Sequence, residues 1–364
     1  MWKRSMFEAM GGPLSAKQIC DIIFLESYYM TERMLAVPLR RASLLDEPVL
    51  VQGPRGAGKT TLIRREFPGH SYVALDDATE RARARSDPRG FLARLRGPTV
   101  IDDLHRAPEL LAHITGPRPL ILASSRRLQL PVETFELYPP TQAERAGRPP
   151  LSLEMLGRFA PSAGHASSLP PPPKASGSSW LDRDVRALIN VHDLDRFESF
   201  LRFVESQTGA IPGQQLIADE CGLSHRTVTR WLGVLDACFL TLRLPPSSLD
   251  FGRRLIRSPR LHLLESSNLE SHAISEIYRN ARHTGIIPNL SYWRDSNGFE
   301  IPLIIQTDGV PVMPVCIAAE PNPSGVARLH RWMELAGIQQ GAIIAQRAGQ
   351  LRRKGILSYS IAQL

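Results

Sequence analysis

The sequence predicts an α/β protein: a parallel sheet covered by helices on both faces, then a helical segment, then a smaller α/β unit. Three observations predict it. Short apolar runs alternate with helix-forming stretches between residues 34 and 122, as crossover connections between parallel strands require. A Gly-rich turn joins the first of these runs directly to a helix. A run of prolines, Pro170 to Pro173, then separates this part from one that resumes with helical periodicity.

Residues 34–47 read as an amphipathic helix containing Pro38, and 48–52 as a short buried strand. The Gly-rich turn follows, and 60–66 opens a helix. Residues 71–75 are a second strand ending on Asp76 and Asp77. Residues 78–95 are helical and Arg-rich, broken at Asp87-Pro88, because a proline disfavours helical geometry in the residue before it. Residues 99–101 and 120–122 are the third and fourth strands. These elements set the expected domains: an extension over 1–33, the sheet domain over 34–160, a linker over 161–179, a helical segment over 180–250 and an α/β unit over 251–364.

The chain of 364 residues is long enough for two or three domains. Its net charge of +8 would suit an anionic partner such as nucleic acid. Lysine, however, occurs only at Lys3, Lys17, Lys59, Lys174 and Lys354, so the basic charge is almost all arginine, a bias that a GC-rich genome also produces. Cys20, Cys221, Cys238 and Cys316 are far apart and form no C-x-x-C, which argues against a zinc site or disulfide framework and fits a reducing cytoplasm. No apolar run approaches the roughly 20 residues of a membrane span. Asp21 and Glu26 interrupt the apolar stretch near the N-terminus, so no signal peptide is expected.

The Gly-rich turn satisfies G-x-x-x-x-G-K-[ST] at every fixed position. The expected phosphate-binding residues are Gly53, Pro54, Arg55, Gly56, Ala57, Gly58, Lys59, Thr60 and Thr61. Small residues let backbone N–H groups turn inward around phosphate oxygens, and the next helix offers its positive end. Lys59 would reach the β- and γ-phosphates and the Thr60 hydroxyl would ligate Mg²⁺, so ATP and Mg²⁺ are the expected ligands. Asp102, at the end of the third strand, suits the metal shell. Asp103 stands where a hydrolytic enzyme often carries Glu to orient water. Its side chain is shorter by one C–C bond, about 1.5 Å, so slow hydrolysis is expected.

Residues 51–62 (VQGPRGAGKTTL), 72–77 (YVALDD), 87–92 (DPRGFL) and 100–111 (VIDDLHRAPELL) resemble, in this order, a prokaryotic family of AAA-type P-loop ATP-binding proteins. So do 183–186 (RDVR), 222–232 (GLSHRTVTRWL) and 292–294 (YWR). The resemblance implies an AAA-type P-loop NTPase domain, a winged-helix segment and a restriction-endonuclease-like C-terminal domain of unknown function. It also marks departures. Ala123 replaces a Thr sensor, leaving Ser125 as the nearest polar match and, with Asp103, the candidate catalytic pair. The family's arginine-finger and lid segments are not recognisable. Nucleotide binding is therefore expected, with weak hydrolysis.

In the winged-helix segment, 213–221 and 225–236 read as two helices joined by a turn, with Ser224 as N-cap. His225, Arg226, Thr227, Thr229 and Arg230 would be available to DNA, unless the module only packs as a lid on the ATPase, whereas Trp231, Leu232, Val234 and Leu235 read as core. DNA and a second copy of the chain are the candidate macromolecular partners. Arg253, Arg254, Arg257 and Arg260 form a cluster that either contacts phosphates or is a solvated basic face. The resemblance places a nuclease's metal-holding Asp and Glu at Pro302 and Cys316 and the Lys beside its attacking water at Ala318, with only Glu270 and Glu276 retained. An active nuclease is therefore not expected. The reading is a nucleotide-dependent switch, with a nucleotide-gated DNA-binding protein as the alternative.

Overall fold

The computed structural model describes residues 32–150, 153, 194–307, 310–346 and 355–364. The 161–179 linker, residues 180–193 and nearly all of the N-terminal extension lie outside them.

The first sheet contains β1 (Val49–Gln52), β2 (Ser71–Ala74), β3 (Thr99–Asp102), β4 (Leu120–Ser124) and β5 (Glu133–Glu136). All pairings are parallel, in the order β2-β3-β4-β1-β5. The fifth strand is absent from the sequence reading. Among its four residues only Phe135 is strongly apolar, so pairing with β1 rather than an apolar run makes it a strand. Both faces of the sheet are covered, as expected. Val49 and Val51 share one core with Leu39 of α1 (Ala36–Ala42) and with Leu62 and Ile63 of α2 (Lys59–Glu66). Leu50 points into the opposite core, with Ala84 of α3 (Ala78–Ser86) and Phe91 and Leu92 of α4 (Pro88–Arg94). The two-residue period of each strand thus feeds two helical layers. Asp87 stops α3 and caps α4 by accepting the Gly90 N–H at 2.9 Å. A short helix, α5 (Gln142–Arg145), follows β5.

The helical region contains α6 (Leu194–Ser206), α7 (Gln214–Cys221) and α8 (His225–Ala237). α7 ends on Gly222 in the left-handed conformation, and Ser224 caps α8 by accepting the Thr227 N–H. Trp231 meets Phe197 and Phe200 edge-on, with ring centroids 5.1 and 5.3 Å away. An antiparallel pair, β6 (Thr241–Leu244) and β7 (Arg260–Leu263), closes this core through Leu261 and Leu263.

The C-terminal α/β unit is built from α9 (Leu269–His283), β8 (Asn289–Arg294), β9 (Glu300–Thr307), β10 (Val310–Ala318), α10 (Pro323–Ala336), β11 (Gly341–Ala345) and β12 (Ile356–Ser360). β8, β9 and β10 are antiparallel neighbours, and β10, β11 and β12 are parallel. α9 packs Ile274 and Ile277 against Leu303, Ile305 and Val315. α10 packs Leu329 and Trp332 on the other face, against Ile304, Cys316 and Ile343. No helix among the described residues is long and apolar enough to cross a membrane.

Candidate functional site

Because β4 lies between β1 and β3, the chain segments leaving all three converge at one end of the sheet, where open parallel sheets bind ligands. A cavity of about 570 Å³ opens there, lined by Arg55, Gly56, Gly58, Lys59, Thr60, Thr61, Asp102, Asp103 and Ser125. Gly56 and Gly58 take left-handed φ values of 78° and 90°, which turn the loop without the clash a Cβ would bring. Lys59 begins α2, and its Nζ donates to the Gly53 and Pro54 carbonyls at 2.8 and 2.9 Å. Gly53, Pro54 and Ala57 stand behind the loop instead of on the cavity. A Cβ on Gly53 would lie 1.9 Å from the Leu137 carbonyl oxygen, so only glycine permits this approach.

Asp102 is almost fully buried. Its Oδ2 accepts the Thr60 hydroxyl at 2.6 Å and the Tyr72 phenol at 2.5 Å, and its Oδ1 accepts the Asp103 N–H at 2.8 Å. Asp103 adopts a left-handed φ of 57° and faces Arg106, whose Nε lies 3.2 Å from Oδ2. His105 Nδ1 is 4.0 Å from the Asp103 carboxylate and accepts the Ser125 N–H at 3.4 Å. The cavity therefore brings together every predicted metal and catalytic residue. It also gathers Arg64, Tyr72, Ala74 and Asp76, which the motif does not mark. Their signal lay in topology: Tyr72, Ala74 and Asp76 alternate along and beyond β2, which pairs with β3 in a register that sets Ala74 beside Asp102. Arg64 lies over the Tyr72 ring at 4.0 Å. Burial and the neighbouring Asp102 push the Tyr72 phenol up to about 12, so it stays a donor.

These residues fit a nucleotide with Mg²⁺. Thr60 and Asp102 already share a proton, which leaves the Thr60 oxygen lone pairs for a cation. Among the described residues no cluster of three or more His, Cys, Asp or Glu could hold a metal alone.

Behind the loop lies a buried circuit that no motif predicts. Arg33 donates from Nη1 to the Ala57 carbonyl at 2.7 Å, from Nη2 to the Tyr138 carbonyl at 2.6 Å and from Nε to Glu144 Oε1 at 3.0 Å. Glu144 Oε2 lies 3.0 Å from Nδ1 of His283, on α9, and His283 Nε2 accepts the Tyr138 N–H at 2.9 Å. The Tyr138 amide fixes the tautomer: His283 is neutral, with its proton on Nδ1. Burial pushes His283 down in the same sense. Burial alone would raise the Glu144 carboxyl, but the charge of Arg33 and hydrogen bonds from His283 and the Met34 amide hold it below the ordinary carboxylate range. A second hub adjoins: Glu136 pairs with Arg127 and with Arg282 of α9, and accepts the hydroxyls of Tyr138 and Tyr278.

Among the described residues of the C-terminal unit there is no assembled metal site. Glu270 and Glu300 are bridged by Arg260, which donates to them at 2.8 and 3.0 Å. Arg260 is buried, so it belongs neither to an exposed phosphate-binding row nor to a solvated basic face, contrary to both readings of the arginine cluster, and Arg253 is paired with Asp295 at 2.8 Å. Arg254 and Arg257 remain exposed. Glu276 is not grouped with Glu270: it accepts the Gln142 N–H of α5 at 2.8 Å and pairs with Arg279. Six residues along a helix separate the two carboxylates by about 1.7 turns, which points them to different faces. Cys316, in the metal-Glu position, is buried and its thiol is pushed up to about 12 by burial.

The parallel sheet, the Gly-rich loop and the carboxylate beside Thr60 define the class: an AAA-type P-loop domain, the first of two α/β units. Residues 45–142 match the AAA domain family. Residues 174–273 match a domain of unknown function (DUF8612), which spans the helical region, β6, β7 and the start of α9. The chain is 28% identical over 329 aligned positions to an uncharacterized protein of Mycobacterium tuberculosis, covering 77% of this chain and 72% of the relative. An uncharacterized protein of Mycobacterium bovis aligns with the same identity and coverage.

Proposed function

We infer that the protein is an ATP-dependent switch in which the occupancy of the P-loop sets how the AAA-type domain holds the C-terminal α/β unit. The observation that carries this is the circuit from the Ala57 carbonyl through Arg33 and Glu144 to His283. It ties the back of the phosphate loop to α9 with no solvent-exposed step. In this reading the N–H groups of the loop and Lys59 take the phosphates, and Thr60 and Asp102 hold Mg²⁺, which neutralises phosphate charge. Any shift of the Ala57 carbonyl on phosphate binding is passed to Arg33. Hydrolysis is slow, because Asp103 is short, is paired with Arg106 and has Ala123 where a hydroxyl would assist.

ATP binding and phosphate release, compared between wild type and Lys59→Ala, test this. Losing a charged phosphate contact lowers affinity by about 10- to 100-fold. Tight binding with little phosphate release supports the switch; turnover at ordinary enzyme rates would show that Asp103 suffices.

One observation favours a DNA-binding role beside it. α8 presents His225, Arg226, Thr229 and Arg230 on its exposed face, with Trp231 and Leu235 buried beneath. Duplex binding at low salt that disappears in Arg226→Ala/Arg230→Ala supports this reading, and no binding at low salt removes it.

A further inference from the structure

Asp102 is held by three donors. Of the roughly four acceptor positions on its carboxylate, Thr60, Tyr72 and the Asp103 amide take three, two of them on the single oxygen Oδ2. The Tyr72 ring packs at the edge of the apolar core that holds Leu62 and Val100. It is half-buried, lines the cavity, and carries the Arg64 guanidinium 4.0 Å above it. Tyr72 stands on β2, two residues before the Cα partner of Asp102, so its phenol reaches diagonally across the strand pair.

We propose that Tyr72 is a positioning residue of the metal subsite, locking the Asp102 carboxylate so that Thr60 and the remaining acceptor position meet a phosphate-bound divalent cation. The proposal rests on the nucleotide reading above and extends it to the cation. With its proton committed to Oδ2, Tyr72 stops Asp102 from rotating away when Thr60 turns its lone pairs to the metal. The Arg64 stack fixes the ring, and through it the phenol. The phenol hydrogen-bonds Asp102 and not the phosphate loop, so loss of that one oxygen in Tyr72→Phe should act on the cation contribution before metal-free nucleotide binding.

Calorimetric titration of ATP into wild type and Tyr72→Phe, each in EDTA and in excess Mg²⁺, reads this directly. In EDTA the two proteins should agree within about threefold, which also reports that the variant folds; the Mg²⁺ enhancement of affinity should fall by about tenfold or more in the variant, as for other groups that orient metal ligands. An equal enhancement in both proteins overturns the role of Tyr72 alone. A larger enhancement in the variant overturns it too, because the phenol would then compete with the cation. Weak ATP binding by the variant in EDTA as well makes Tyr72 structural and also overturns it. A wild type that binds no ATP in either condition overturns the nucleotide reading, and this proposal with it.

Discussion

His283, His262 and His272 are buried imidazoles whose surroundings favour the neutral form. Burial is the main cause in each, with Arg260 adding to it for His262, which falls to about 4. The sign of the pH dependence follows. A histidine depressed in the folded state binds its proton first in the unfolded chain, so stability is complete above pH 6.5 and declines as pH falls toward 4. For His262 alone the full loss is about 3 kcal/mol, at 1.36 kcal/mol per unit. Glu144, held below its ordinary 4.5, adds a further decline as pH falls below that value. Urea denaturation at several pH values should therefore show the midpoint falling from near-neutral pH down to pH 4. In His283→Ala the neutral-pH midpoint should drop, because a buried carboxylate oxygen and the Tyr138 N–H lose their partner, at about 2 to 4 kcal/mol together. An unchanged midpoint in that variant would mean water replaces the ring.

At the level of elements, α8 shows how packing and local signals combine. Ser224 starts it, Trp231, Leu232 and Leu235 bury its inner face, and the outer face stays polar. Trp231→Ala should cost about 3–5 kcal/mol in denaturant unfolding. Among the described residues the indole N–H of Trp231 has no partner, so Trp231→Phe forfeits volume but no hydrogen bond seen there and should cost clearly less. Equal losses in the two would mean that the N–H matters after all. The same contrast explains which elements were legible. α8 and the strands β1 to β4 carry an apolar period and a cap or turn of their own. β5 carries neither, since Glu133 and Glu136 give it polar ends and its partner β1 is about 80 residues away. At the site, the phosphate loop and the carboxylates were readable because their chemistry demands fixed spacing. Tyr72 and Arg64 were not, because what joins them to Asp102 is the register of β2 against β3.

For the whole molecule, the unreadable part is the seam between the first α/β unit and α9. Arg33, Glu144 and His283 are separated by more than a hundred positions, and single buried charges leave no pattern in a sequence. Yet these residues make the phosphate loop and the C-terminal unit parts of one hydrogen-bonded circuit. Arg33 supplies three donors in fixed directions, which a lysine ammonium on a flexible stem does not reproduce. In Arg33→Lys the charge facing Glu144 is kept, so the fold and ATP binding should survive, whereas the link from the Ala57 carbonyl to Glu144 is broken. Hydrogen exchange along α9 is the measurement. In wild type, Mg·ATP should change the protection of the helix near His283; in Arg33→Lys, with ATP bound to the same saturation, that change should shrink by half or more. Coupling between two sites of this kind is typically about 1–3 kcal/mol, large enough to alter exchange rates by about 5- to 150-fold. A wild-type α9 indifferent to ATP would mean that the circuit only glues the two units together. An Arg33→Lys protein that responds like wild type would mean that the signal travels through the Glu136 hub instead.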